Sequence, residues 1–367
     1  MATHTAAVIP LTSITSSAHP INLKTRTPQT AQLPRQLYIE VTNRCNSLCK
    51  SCPLTYDHFL QWEPKHHLNW DQFRKIVDQV PVIDRAVLHG IGEPLMNPDL
   101  PRMVAHLKER GAHVLFNTNA VLLNQARGDA LADAGLDELR VSLDAITPSL
   151  YAHLRGIDAL PRIIQNLRTY THRRHERRAI ETKQPVTSFW FVGMQENLHE
   201  LPDVVKLAIE MGVPEVHLQR LVYFGDGATL DDSVTAVQAQ SLHASLQALQ
   251  ARLVVECEAL AKDSGLKFSA SGATTPGESL EVKGAHPWQG CFRPWTLMYI
   301  TATGNALPCC IAPFAVADYE QIMLGNVFTH SLEQVWNGGR YQELRSAVLS
   351  EAPSPWPCQH CGVKWSL

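Results

Sequence analysis

The sequence predicts an α/β chain: a partial (β/α)6, TIM-like barrel of parallel strands, followed by a small cysteine-rich α+β domain at the C-terminal end. Three observations carry this reading. Short apolar runs alternate with amphipathic runs of helical period six times between residues 37 and 221. Several of the helical runs stop at a glycine, among them Gly111, Gly135 and Gly212. Eight of the nine cysteines fall in two groups, one just after the first apolar run and one beyond residue 290.

The elements follow in order. Residues 37–41 (LYIEV) read as a strand, and Asn69 caps a helix over 70–80 with acid in its first turn. Strand 86–89 leads to helix 100–110, and strand 113–116 to helix 125–134. Strand 138–143 leads to helix 160–174, strand 189–192 to helix 201–211, and the sixth strand covers 215–219. Right-handed crossovers curl such a series toward a barrel, whose chemistry lies at the C-terminal ends of the strands. Beyond it, 226–285 reads as a helical connector, with a helix over 234–262 and a loop over 266–290; residues 286–367 form the C-terminal domain. Residues 1–36 are rich in Thr, Ser and Pro, hold no acid, and read as a flexible tail without a secretory signal.

Bulk properties exclude several classes. With 45% hydrophobic residues, 18% charged residues and a net charge of -3, the chain offers no electrostatic case for a nucleic-acid or membrane partner. The basic run 172–178 (HRRHERR) ends a helical pattern and reads as a solvated helix end. No apolar stretch approaches the roughly 20 residues of a membrane span. Clustered cysteines without a secretion signal point to metal rather than disulfides, and to a cytoplasmic location.

Cys45, Cys49 and Cys52, spaced C-x3-C-x2-C, lie just past the first strand, at the barrel mouth. Three thiolates on a four-iron cube leave one iron open to a small molecule. A zinc knuckle with His58 as fourth ligand is the competing reading. Other strand ends are polar in the same order. The second runs into His89-Gly90-Ile91-Gly92-Glu93-Pro94 and the third into Asn117-Thr118-Asn119. The fourth carries Ser142 and Asp144, with Arg155 further on. Taken singly, Ser142 or Asp144 could cap a helix, and Arg155 could be an exposed helix residue. Zinc gives no reason for these groups to recur at successive strand ends.

Over residues 37–221 these features, in this order, resemble the radical S-adenosylmethionine superfamily. The resemblance implies that Cys45, Cys49 and Cys52 hold a 4Fe-4S cluster whose open iron chelates S-adenosylmethionine. It implies Gly92 and Glu93 at the methionyl amino group, Ser142 and Asp144 at the ribose or methionyl part, Arg155 at the carboxylate, Asn117 or Asn119 along the pocket, and the backbone of 216–219 at the adenine. The chain departs from the pattern at Ser51, where the family usually has an aromatic residue; Leu54 or Tyr56 would take over that contact.

Cys291, Gly304 and Cys309 follow the spacing C-x12-G-x4-C, and Cys358-x2-Cys361 closes the group. Residues 288–364 thus resemble the SPASM module in a shortened, twitch-like form. The resemblance implies one auxiliary 4Fe-4S cluster on Cys291, Cys309, Cys358 and Cys361. A zinc site on the same four is the alternative. Cys310 is then the spare thiol: another ligand, a hydrogen-atom donor and so a catalytic residue, or a buried group. Cys257, mid-helix, reads as core.

The implied activity is reductive cleavage of S-adenosylmethionine to a 5′-deoxyadenosyl radical that takes a hydrogen atom from a substrate C–H bond. The auxiliary cluster would assist an oxidation or another modification. A one-electron donor such as flavodoxin or ferredoxin is required. The substrate reads as either a small molecule, acted on by a sugar or cyclitol dehydrogenase or epimerase, or a peptide, modified by a maturase. Only 36 residues precede the first strand, which tilts the expectation toward the small molecule. A non-catalytic metal-binding scaffold is the third reading.

Overall fold

In the computed structural model the residues described are 26–56, 58–178, 184–221, 247–270, 291–315, 318–350 and 357–358. The six predicted strands are all present. They are β1 Gln36–Ile39, β2 Arg85–Val87, β3 His113–Thr118, β4 Glu138–Ser142, β5 Val186–Gly193 and β6 Glu215–Arg220. Between them run α1 Trp70–Val77, α2 Leu100–Glu109, α3 Gln125–Asp133, α4 Pro148–Arg155, α5 Leu160–Arg178 and α6 Leu201–Glu210. The cap of α1 is the expected one: Asn69 accepts from the Gln72 N–H, and the Gln72 side chain accepts from the Asn69 N–H.

Side chains alternate across the sheet. Leu37 and Ile39 of β1, Phe116 of β3 and Phe189 and Phe191 of β5 join one large core with the helices. Burying each such side chain contributes roughly 1.5–3 kcal/mol. Tyr38, Val87 and Leu115 belong to a second cluster, on the other face. That face carries the site.

The sheet is longer than the sequence pattern indicates. Helix α7 Gln247–Ser264 leads to β7 Lys267–Ala270, which pairs parallel to β6. Residues 267–270 were expected in a loop; Lys, Ser and Phe in a four-residue run gave too short a period to read. The C-terminal module then adds β8 Leu297–Ile300, β9 Asn305–Leu307 and β10 Gly325–Asn326. β8 pairs parallel to β1, so the order is β10-β9-β8-β1-β2-β3-β4-β5-β6-β7 in one ten-stranded sheet. The module therefore extends the barrel sheet instead of standing apart as its own layer. It is completed by α8 Leu332–Trp336 and α9 Gly339–Leu349.

The end of the expected tail is not loose. Trp295 Nε1 donates to the Thr27 carbonyl at 2.8 Å, and Trp336 Nε1 to the Gln32 carbonyl at 2.9 Å. Arg345, fully buried, donates to the Pro28 carbonyl at 3.0 Å, and Asn337 exchanges two hydrogen bonds with Thr30. Residues 26–35 are thus strapped across the C-terminal module. Among the described residues, no helix is long and apolar enough to cross a membrane.

Candidate functional site

The cysteine loop leaves β1 and is held from below by α4. The Leu48 N–H donates to the Arg155 carbonyl at 3.2 Å, and the Lys50 N–H to the Leu154 carbonyl at 3.1 Å. The last turn of α4, capped by Gly156, thus presents Arg155 to the loop. Its Nη1 lies 3.8 Å from Cys49 Sγ, and its Nη2 lies 2.5 Å from Asp144 Oδ2. Asp144 in turn accepts from the Val192 N–H at 2.8 Å. Burial works against the Arg155 charge, yet Asp144 and Cys49 hold its pKa above the ordinary value. Asp144 was expected to reach the ribose or methionyl part of a ligand; it lies behind Arg155 instead and fixes its direction.

Glu93 keeps room for its expected role, whereas Asn119 is spent elsewhere. The Glu93 carboxylate accepts from the Leu95 N–H at 3.0 Å, the Thr118 hydroxyl at 2.7 Å and the Asn119 N–H at 2.7 Å. A carboxylate offers about four acceptor positions, so one is left for a ligand. Asn119 Nδ2 donates to Asn46 Oδ1 at 2.8 Å and Ser47 Oγ at 3.1 Å, and Asn119 Oδ1 accepts from the Val121 N–H. It orients the cysteine loop and has little left to line a pocket with. Asn117 is the reverse case. Its Oδ1 is buried without a hydrogen-bond partner, an acceptor the protein itself leaves unused. Gly92 has φ +126°, and a Cβ there would strike the Thr42 carbonyl, so the turn can lie against the cysteine loop only as glycine.

Ser142 is half-buried beside Trp190 in the β4–β5 register. The backbone of 216–218, expected to meet adenine, is paired with β5 on one side and β7 on the other. Among the described residues Gln219 is paired on the β5 side alone. Two histidines on this face had no expected role: His89, named only as part of its strand end, and His217. The Asn117 N–H donates to His89 Nδ1 at 3.1 Å, and His217 stacks on Trp190 at 4.1 Å between ring centroids. Burial and nearby cations, Arg140 for both with Arg85 at His89 and Lys267 at His217, push both down to about 3, so both are neutral. Their alternation with apolar strand residues was the signal available.

Do the cysteines suit an iron–sulfur cluster? The described cysteines are all free thiols. Burial pushes Cys45 up to about 11, raises Cys52, and raises Cys291. Bare thiolates would be unstable there, and a cluster supplies the compensating positive iron. The backbone is set for thiolates. Cys45 Sγ accepts from the Ser47 N–H at 3.4 Å, and Cys52, Cys291 and Cys309 accept from the N–H groups of Leu54, Arg293 and Ile311. Each donor is two residues on, and such donors tune cluster sulfurs. Among the described residues no three His, Cys, Asp or Glu side chains converge as one metal ion requires. Cys309 and Cys310 both pack against the inner-face cluster that holds Tyr38 and Tyr299. Cys358 is half-buried against the main core, and Cys361 lies outside the described residues. Cys257 is fully buried in α7.

Comparison with known proteins agrees with this geometry. The sequence model described as "Radical SAM superfamily" matches residues 39–217, and that described as "SPASM: Iron-sulfur cluster-binding domain" matches 291–362. The chain is 24% identical over 342 residues to a PqqA peptide cyclase of Bradyrhizobium diazoefficiens, covering 91% of this chain and 80% of that one. It is 24% identical to an AdoMet-dependent heme synthase of Methanosarcina barkeri, covering 85% of each. Streptococcus suis SuiB, solved with its precursor peptide SuiA, shares the fold with a TM-score of 0.62 at 20% identity, covering 90% of this chain and 70% of that one. The chain belongs to the radical S-adenosylmethionine superfamily, whose enzymes split S-adenosylmethionine to a 5′-deoxyadenosyl radical, and it carries a SPASM iron–sulfur module beyond the barrel.

Proposed function

We propose that this enzyme modifies a peptide, removing a hydrogen atom from one of its C–H bonds. The observation that carries this is the similarity to a peptide cyclase across both modules, 91% of the chain. SuiB, solved with its precursor peptide, shares the fold over 90% of this chain and supports the reading. When bound, the first cluster supplies the electron that splits S-adenosylmethionine, and the auxiliary cluster accepts one from the substrate. The chain's own residues do the rest. Cys45, Cys49 and Cys52 hold the first cluster; Cys291, Cys309, Cys358 and Cys361 hold the second. Asn117 Oδ1 and Ser142 offer polar contacts beside the ligand, Gly92 and Glu93 face its amino group, and Arg155 pairs with its carboxylate. A flavodoxin or ferredoxin delivers the electron.

The test is anaerobic incubation of the reduced holoenzyme with S-adenosylmethionine and each short peptide encoded beside its gene. Mass spectrometry should find a peptide lighter by two hydrogens, with one 5′-deoxyadenosine formed per product. The balance closes: one hydrogen atom leaves to the radical, then a proton to solvent and an electron to the protein. If no such peptide changes while a sugar or tetrapyrrole is turned over, the reading is overturned.

Asp144→Asn tests the support of Arg155. Removing one member of a buried pair leaves the other charge unbalanced and free to turn. We expect kcat/KM for S-adenosylmethionine to fall roughly 10²-fold, mostly through KM, in a steady-state assay of 5′-deoxyadenosine.

A further inference from the structure

Two buried carboxylates lie where the barrel meets the C-terminal module, and no step described above uses them. Glu40 directly follows β1. Its Oε1 accepts from the Ile91 N–H at 2.8 Å and from the Tyr299 hydroxyl, and its Oε2 from the Ala302 N–H at 3.2 Å. Ile91 belongs to the turn that carries Gly92 and Glu93. Tyr299 lies on β8 and Ala302 in the turn after it. One side chain therefore grips the ligand-facing turn and the auxiliary module together. The contact is close: a Cβ on Gly90 would overlap the Tyr299 hydroxyl and come within 2.6 Å of Glu40 Oε1.

Glu63 makes a parallel tie. It accepts from Asn305 Nδ2 at 3.0 Å, from the Tyr319 hydroxyl at 3.3 Å and from the Thr303 hydroxyl. Its backbone carbonyl accepts from Asn43 Nδ2 at 3.2 Å, two residues before Cys45. Trp62 stacks on Tyr319 at 5.5 Å. Neither carboxylate has an ion-pair partner among the described residues. A structural tie needs no buried acid, whose burial without a cation is costly.

We propose that Glu40 is a positioning residue for the cleavage of S-adenosylmethionine, transmitting the seating of the auxiliary module to the Gly90–Glu93 turn. The methionyl site is then fully formed only with the module in place. The titratable groups facing Glu40 are Glu63, Tyr299 and Tyr319. Burial, then Glu63, pushes Glu40 up to about 8, so it is mostly protonated at neutral pH. Rising pH ionises it; the three donors hold a carboxylate more strongly, but burial and the neighbouring Glu63 oppose the charge and favour opening of the joint. The sign for folding is the same. The folded state keeps a proton that the unfolded chain releases near 4.5, so stability falls as pH rises from 4.5 to about 8 and levels off above.

The test uses holoenzyme with both clusters. It reads KM for S-adenosylmethionine, hydrogen exchange of a peptide spanning 88–96, and the pH profile of KM. Glu40→Ala should raise KM about tenfold and speed exchange in that peptide. Glu40→Gln, which mimics the protonated acid, should stay within about threefold of wild type at pH 7. It should also lose the rise in KM that wild type shows between about pH 7 and 9. Should Glu40→Ala not fold, Tyr299→Phe carries the test through the same two readouts. Cys291→Ala, which removes the auxiliary cluster, should raise KM in wild type and add little on top of Glu40→Ala, because coupled sites are not additive. Wild-type KM and exchange in both Glu40→Ala and Tyr299→Phe, an alkaline profile unchanged by Glu40→Gln, or full additivity with Cys291→Ala would overturn the proposal.

Discussion

Cys49→Ala should abolish 5′-deoxyadenosine formation, to below about a thousandth of wild type, and lower bound iron from about eight to about four per chain. The size of the effect follows from the ligand count. Three thiolates already leave one corner of the cube without a protein ligand, so the loss of another leaves two and the cluster is not held. The loop itself should survive. Its shape comes from backbone contacts to the end of α4, through Leu48 and Lys50, and from Asn119 gripping Asn46 and Ser47. None of these uses the Cys49 side chain. Far-UV circular dichroism should therefore be unchanged, and the auxiliary cluster's EPR signal should persist. A variant that keeps all its iron and still responds to added S-adenosylmethionine would remove Cys49 from the ligand set. Loss of both clusters together would instead mean that the substitution had unfolded the sheet.

Much of this site could be read from the sequence because its chemistry is local. The C-x3-C-x2-C run, the Gly92-Glu93 turn and the 117–119 segment each occupy a few consecutive residues at a strand end, and helical and strand periods located those ends. What could not be read is pairwise and distant. Asp144 and Arg155 were each expected at the ligand from their place in the series of strand ends; only the fold shows them facing one another. Asn119 likewise spends its amide on residues more than 70 positions away. The missing strand β7 had a direct consequence. Without it the backbone of 216–218 has one side free to meet adenine; with it those residues are paired on both sides. The pairing of β8 to β1 joins segments some 260 residues apart, and no local period encodes it. Glu40 did leave a trace, as the one acid in the apolar run LYIEV, on the face opposite Leu37 and Ile39.

Cys309→Ala and Cys310→Ala should part sharply, although the two residues are neighbours. The backbone tells them apart: Cys309 Sγ accepts from the Ile311 N–H, two residues on, as Cys291 does from Arg293. The same arrangement serves Cys45 and Cys52. No such donor is seen for Cys310 among the described residues, nor for Cys49, whose sulfur meets Arg155 Nη1 instead; Cys310, like Cys309, packs against the inner-face cluster that holds Tyr38 and Tyr299. Cys309→Ala should lower iron to about four per chain while cleavage of S-adenosylmethionine continues. The substrate radical then has nowhere to send its electron, so 5′-deoxyadenosine should accumulate without oxidised product. Cys310→Ala should keep about eight irons. A spare thiol on the inner face is also placed to return a hydrogen atom to a substrate radical. If Cys310 does so, its loss should leave iron and 5′-deoxyadenosine intact and change only the product, detectable as altered deuterium incorporation from D2O. Iron lost from Cys310→Ala and retained in Cys309→Ala would reverse the assignment. It would also mean that an amide two residues on does not mark a cluster ligand in this chain, which would weaken the same argument for Cys45, Cys52 and Cys291.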